Sequence, residues 1–265
     1  MKNIAVIPNI YKDPELKITK KITDLLDKSG AETKVLNAEC KSEDLSGFDC
    51  AVVLGGDGTV LDIAKKAAVY GIPVAGVNLG KIGYLASVEL DELDKLASLD
   101  KNTHIEKRMM LLLKYRGQQY TALNDFVISG KRASKMISVS VEADGEPSSD
   151  YNSTALIFST PTGSSGYNVS AGGPVIDPTL ECIAVTPVCP HTGTARSCIY
   201  GKDAVFTLKN VSSADKEVNV SVDGGPELPL ELDEIIKISR SDKYVSLIKF
   251  DNEPFARTLV RKMKI

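Results

Sequence analysis

The chain has 265 residues, 32 basic against 35 acidic side chains, a formal net charge of −3 and 43% hydrophobic content. That is enough apolar material for one large or two modest domains, and the charge balance lacks the basic footprint that binding a nucleic-acid backbone requires. The opening run to Pro8 is too short for a secretory leader, and no later stretch nears the roughly 20 apolar residues of a membrane helix. The sequence therefore reads as a cytoplasmic protein without nucleic-acid or membrane partners.

The first part alternates strand and helix. Ile4 to Ile7 reads as a buried strand. Asp13-Pro14 reads as an N-cap with proline at the first helical position, followed by Ile18, Ile22, Leu25 and Leu26 at helical spacing, with Gly30 as the stop. A short strand ends at Val35-Leu36. Cys50 to Leu54 is apolar throughout, as a central parallel strand requires. A helix over about 60–70 ends at Gly71, and Pro73 to Val77 is the next strand. This rhythm predicts a doubly wound, mostly parallel α/β domain over residues 1–98.

The texture then changes to short β-rich runs. Met136 to Val141 precedes Asp144-Gly145, and Val218 to Val222 precedes Asp223-Gly224-Gly225; both are hairpin signals. A mainly antiparallel domain is expected over 99–250, with a basic helical segment in 251–265. The five cysteines, Cys40, Cys50, Cys182, Cys189 and Cys198, are odd in number and form no C-x-x-C pair. They read as reduced, mostly buried thiols rather than disulfides or a closed zinc site. Met109 to Leu113 reads as core.

Gly55-Gly56-Asp57-Gly58-Thr59 stands between the apolar strand and the helix. Ligands of open α/β sheets bind at the carboxyl ends of strands. Glycines there permit positive φ and close approach of backbone N–H groups to an anion, and the helix that follows points its positive end at the same place. The loop lacks the lysine and spacing of a Walker A site. A carboxylate inside a phosphate-binding turn needs a task of its own. Asp57 can hold Mg²⁺, accept the proton of an attacking hydroxyl, or simply cap the helix. A second cluster, residues 159–174, is rich in hydroxyls and glycines and follows the strand-like Ala155 to Phe158. It suits a polyhydroxylated or phosphorylated ligand, with an ordinary serine-rich loop as the plain alternative.

Together these segments resemble the NAD kinase family. GGDGT at 55–59 is followed by Gly76-Val77-Asn78-Leu79-Gly80-Lys81-Ile82-Gly83-Tyr84-Leu85, similar to the family's G-V-N-x-G-x-L-G-F-L. Arg108-Met109 resembles its R-M-x-L strand, and Leu123-Asn124-Asp125 stands where the family has L-N-E. Residues 159–174 resemble S-T-P-T-G-S-T-A-Y-x-x-S-A-G-G-P, and 187–196 its P-x-x-P-H-x-L-x-x-R. The resemblance implies a kinase, a phosphotransferase with an alcohol acceptor. ATP gives its γ-phosphate to the 2′-hydroxyl of the adenosine ribose of NAD, making NADP, with Mg²⁺ on the phosphates.

By position, the resemblance implies Asp57 as the catalytic carboxylate and Gly55, Gly56, Gly58 and Thr59 as the nucleotide-handling loop. Asn124 and Asp125 would bind ribose or pyrophosphate. Ser165, Gly166, Tyr167, Asn168, Val169 and Ser170 would line the adenosine side, Tyr84 a base, and Lys135 another ligand contact. The site is expected between the two domains, with the C-terminal segment returning to the first, and the protein as a homodimer or homotetramer. Three departures stand out: Thr154-Ala155 where the family carries Asp-Gly on the nicotinamide side, Asp125 for glutamate, and Ser165-Gly166 for Thr-Ala, with Gly225 where glutamine is frequent. Two other readings fit the same letters. One is a diverged, non-catalytic NAD- or NADP-binding protein; the other is a lipid or sugar kinase sharing the glycine loop. His191 is read as structural or peripheral rather than as an acid–base group. The sequence leaves open ATP against polyphosphate as donor and NAD against NADH as acceptor.

Overall fold

A computed structural model describes residues 1–263 apart from 81–82, 101, 132–134, 192–194, 214–216 and 252–253, and describes 261–263 by backbone alone. Lys81-Ile82, residues 192–194 of the proline–histidine motif and the side chains of Arg261 and Lys262 thus lie outside the described residues. The chain forms two compact units, one of Met1–Lys107 with Lys243–Ile265, the other of Arg108–Asp242.

The first unit opens with β1 (Asn3–Ile7), α1 (Lys17–Lys28), β2 (Glu32–Val35), β3 (Cys50–Gly55), α2 (Asp57–Ala68) and β4 (Val74–Asn78). The strands are parallel in the order β2-β1-β3-β4. Every residue of β3 and β4 is buried, which is why β3 reads as an unbroken apolar run and β4 is apolar as far as Asn78. Ile4, Val6, Val52, Leu54 and Val77 form one core with Ile22 and Leu26 of α1 and with Leu93 and Leu96.

The start of α1 differs from the sequence expectation. Pro14 is not its first residue; a turn intervenes, and Leu16, at φ 53°, precedes the helix. Asp13 caps from a distance instead. Its carboxylate accepts the Ile18 and Thr19 amides at 3.2 and 2.9 Å and the Thr19 hydroxyl at 2.6 Å. Burial opposes ionisation of this carboxyl, but those donors outweigh it and hold it below the ordinary carboxylate range.

The second unit contains most of β5 (Ile105–Tyr115), then β6 (Gln118–Ala122), β7 (Asp125–Gly130), β8 (Ile137–Ala143), β9 (Glu146–Ser153), β10 (Ala155–Ser159) and the single turn α3 (Tyr167–Ser170). There follow β11 (Cys182–Val188), β12 (Cys198–Gly201), β13 (Phe206–Asn210), β14 (Val218–Val222), β15 (Glu227–Leu230) and the first part of β16 (Ile235–Ile248). One antiparallel sheet runs β12-β11-β10-β7-β14-β15; in another, β13 lies between β16 and β8, and β8 pairs with β9. Both aspartate–glycine hairpins form. Asp144-Gly145 and Asp223-Gly224 take the positive φ pairs, 55° with 85° and 51° with 67°, that tight hairpin turns need. Phe158 packs edge-on against Phe206, which also meets Tyr200. The end of β16 returns to the first unit, where Leu247 pairs in parallel with Val74, and α4 (Phe255–Met263) closes the chain.

Met109, Met110, Leu111 and Leu113 are buried, as a core strand requires. All five cysteines are free thiols. Only Cys40 and Cys50 are buried, however; Cys182 is half-buried, and Cys189 and Cys198 are exposed. Burial pushes the Cys50 thiol up to about 12, so it stays protonated and inert.

Candidate active site

In the first unit the catalytic candidates meet at the carboxyl ends of β3 and β4. Asp57 is the first residue of α2, behind an N-cap at Gly56 that lacks a side-chain cap. Its carboxylate does not cap its own helix. It crosses to the next strand's loop, where Oδ2 accepts the Tyr84 amide at 2.6 Å and Oδ1 the Leu85 amide at 3.0 Å. Gly83 lets this happen: a Cβ there would lie 2.7 Å from Asp57 Cγ. The G-Y-L part of the second motif is thus the seat of the first motif's aspartate. Each carboxylate oxygen keeps a second lone pair for an outside proton or cation. Tyr84 lies beside the same carboxylate. Burial, then the Asp57 charge, pushes its phenol above the ordinary value.

The loop glycines do not work as expected. None of Gly55, Gly56 or Gly58 has a positive φ, and only at Gly55 do the neighbours require the absence of a side chain. A Cβ on Gly55 would lie 2.7 Å from Thr59 Cβ, whereas one on Gly58 would meet only open space, at an exposed position where a ligand can approach the helix N-terminus. Thr59 is held from β1's side, its hydroxyl accepting from Asn9 Nδ2 at 3.3 Å.

In the second unit three segments meet at one end of the six-stranded sheet, where Asp125 pairs with Ser159 and Phe126 with Val222. Thr160 donates its hydroxyl to Leu123 O at 2.6 Å and its amide to Asn124 O at 2.9 Å. Gly163 packs on the Asn124 backbone so closely that a Cβ would lie 2.6 Å from Asn124 Cα. From the other side Asp223 clamps the same peptide. Its carboxylate accepts the Leu123, Asn124 and Asp125 amides at 3.0, 2.7 and 3.1 Å. Asp125 itself is 6% exposed. Burial, followed by the charge of Asp223, raises its carboxyl to about 7.

Asp223 is the site residue that the sequence reading passed over, because an aspartate before glycine after a strand signals only a turn. The other positions divide. Ser165, Gly166, Tyr167, Val169 and Ser170 lie at the surface or half-buried around α3, with Tyr167 45% exposed. Asn168 is fully buried and its amide serves the protein. It donates to Ser164 O and Pro174 O and accepts the Thr186 hydroxyl at 2.6 Å. Buried Arg108 donates to the Thr162 hydroxyl at 3.3 Å, joining the R-M strand to the same loop. Thr154 is not part of this cluster. It precedes β10, whose far end carries Ser159, roughly 16 Å away at strand spacing. Its amide bonds Val188 O at 2.9 Å, beside the His191 amide on Asn152 O at 2.8 Å. Lys135 is half-buried just ahead of β8.

Among the described residues no three His, Cys, Asp or Glu side chains converge as a metal cage. The one carboxylate on the glycine loop, Asp57, is a donor of the kind a divalent cation takes beside water and phosphate oxygens. Nor, among the described residues, is any helix long and apolar enough to cross a membrane.

Known proteins share this construction. Residues 6–102 match the family ATP-NAD kinase N-terminal domain, and residues 123–250 the ATP-NAD kinase C-terminal domain. An NAD kinase of Thermoanaerobacter sp. (strain X514) is 36% identical over 283 aligned residues, covering 99% of both chains. One of Lachnoclostridium phytofermentans is 36% identical over 281, with the same coverage. Among solved structures, an NAD kinase from Archaeoglobus fulgidus in complex with ATP superposes with a TM-score of 0.83 at 26% identity, covering 99% of this chain and 98% of that one. Yeast NADH kinase shares the fold, with a TM-score of 0.80 at 19% identity, covering 100% of this chain and 88% of that one. The ordered motifs, the two-unit architecture and these full-length matches agree: the chain belongs to the NAD kinase family.

Proposed function

We propose that the protein transfers the γ-phosphate of ATP to the 2′-hydroxyl of the adenosine ribose of NAD, making NADP and ADP. The observation that carries the proposal is the seating of Asp57 on the Tyr84 and Leu85 amides, at the tip of the glycine loop. A ribose hydroxyl is a weak nucleophile at neutral pH and needs a base in hydrogen-bond reach. In the step proposed, the 2′-oxygen forms a bond to the γ-phosphorus, the bond from that phosphorus to the bridging oxygen breaks, and ADP leaves with the electron pair. The hydroxyl proton passes to Asp57. The two backbone donors fix the carboxylate in place, so no reorganisation is needed as the proton moves.

Gly55, Gly56, Gly58 and Thr59 present the start of α2 to the donor phosphates. Asn124 and Asp125 take ribose hydroxyls, with Ser165 to Ser170 along the adenosine and Tyr84 against a base. Asp57 is the side chain that would hold a Mg²⁺ ion arriving with the nucleotide, and such an ion would offset charge on the phosphates. On the family resemblance, the protein is a homo-oligomer in the cytoplasm, with Lys135 as a ligand contact and Thr154 on the nicotinamide side. Phosphorus NMR of the product tests the reaction. Incubation with ATP, Mg²⁺ and NAD should yield a monoester at the adenosine 2′ position. Nucleotide bound but unchanged, with ATP and with polyphosphate, would mark a binding protein instead.

A further inference from the structure

The turn between β1 and α1 is built more carefully than a connection needs, and what it displays is one lysine. Asn9 Oδ1 accepts the Tyr11 and Lys12 amides at 3.1 and 3.2 Å, while Asn9 O accepts those of Lys12 and Asp13 at 3.0 and 2.8 Å. The Asn9 amide nitrogen reaches Thr59 on the glycine loop, and Asp13 anchors the other end on α1. Between these two clamps Lys12 has little backbone freedom.

Its side chain has a defined course. Nζ lies 3.6 Å from where a Cβ on Gly56 would sit and 2.8 Å from where one on Gly80 would sit. The ammonium therefore hangs over two glycines, one just beyond β3 and the other just beyond β4. Gly80 accommodates it by lacking a side chain. Among the described residues Lys12 makes no ion pair, unlike Lys17, Lys66 and Lys95, each matched to a carboxylate. Asp57 is turned the other way, onto the amides of residues 84 and 85. An exposed ammonium without an ion-pair partner among the described residues, beside the amino end of a twelve-residue helix, is a cation open to an anion.

We propose that Lys12 is a donor-phosphate anchor, meeting the terminal phosphate oxygens of the triphosphate on the glycine loop. This rests on the kinase reading above. It adds a residue that lies outside the glycine motif and that the sequence reading did not single out. As a compact point charge, Lys12 would hold the γ-phosphate in the ground state and follow the charge that moves to the β-phosphate on transfer.

The test compares Lys12→Ala and Lys12→Arg with the exposed helix variant Lys21→Ala. Steady-state rates are read against ATP and NAD separately, and thermal protection by inorganic tripolyphosphate is read without any turnover. The expected result for Lys12→Ala is a KM for ATP raised about tenfold or more, a KM for NAD changed less than twofold and protection by tripolyphosphate lost; charge-assisted phosphate contacts have effects of this order. Lys12→Arg should restore most of the protection and Lys21→Ala should match the parent. Unchanged ATP kinetics and unchanged protection in Lys12→Ala would overturn the proposal while leaving the kinase reading intact. A parent protein that makes no NADP would overturn that reading, and tripolyphosphate protection would still decide the role of Lys12.

Discussion

At Gly83 a single methyl group would separate fold from chemistry. Alanine there would set a Cβ 2.7 Å from Asp57 Cγ, and the carboxylate, held by two amides, would have to give way. Misplacement by about 1 Å can cost on the order of a hundredfold in rate. Gly83→Ala should therefore lower kcat by roughly ten- to a hundredfold while the circular dichroism spectrum stays that of the parent; an undiminished kcat would show that the Asp57 seat does not matter to the reaction. This seat was only half legible in the letters. Asp57 stood out because a carboxylate is costly in a phosphate turn, but nothing local shows that its partners lie 27 and 28 residues further on. The same holds for Asp223, some 100 residues from the amides it binds and disguised as a turn residue.

At the scale of elements, β7, β10 and β14 end together, and Asp223 closes that end by taking three amides. Asp223→Ala would strand those donors at the head of a buried strand. With about 1–3 kcal/mol for each donor left unpaired, and water replacing some partners, a loss of about 2–4 kcal/mol is expected in urea unfolding. A loss under about 0.5 kcal/mol would mean that water or neighbouring groups take over the clamp. The strands themselves were well marked: β3 by its unbroken apolar run, and the β8–β9 and β14–β15 hairpins by their aspartate–glycine turns. The entry to α1 was misread, because Asp13-Pro14 has the letters of a helix start while the capping carboxylate reaches residues 18 and 19 across an extra turn. The loop glycines were misread for a related reason. Sequence shows that a side chain is missing but not whether φ or crowding demands it; here Thr59 crowds Gly55.

For the molecule as a whole, Asp125 links folding to pH. Its carboxyl is raised from an ordinary 3.8 to about 7, so between those values the native state binds a proton that the unfolded chain has released. The stability from this group is fully present below about pH 4, falls as pH rises through 7 and is flat above. Asp125→Asn removes the titration. Relative to the parent, the variant should gain on the order of a few kcal/mol between pH 5 and pH 8, read from melting temperatures at both; parallel pH profiles would contradict the burial assigned to Asp125. The two-unit plan and the family were legible from the order of the motifs, since the glycine loop, Leu123 to Asp125 and residues 159–174 each sit at a strand end where backbone geometry restricts the choice of residue.

Whether Asp57 takes the ribose proton is tested by a time course of NADP formation by the parent and by Asp57→Asn, at saturating ATP, Mg²⁺ and NAD. Asparagine preserves size and can still meet part of the amide seat but cannot act as the base. The parent should form NADP steadily and the variant at a rate lower by about 10²–10⁴, with NAD and ATP binding retained. A variant within tenfold of the parent would contradict it.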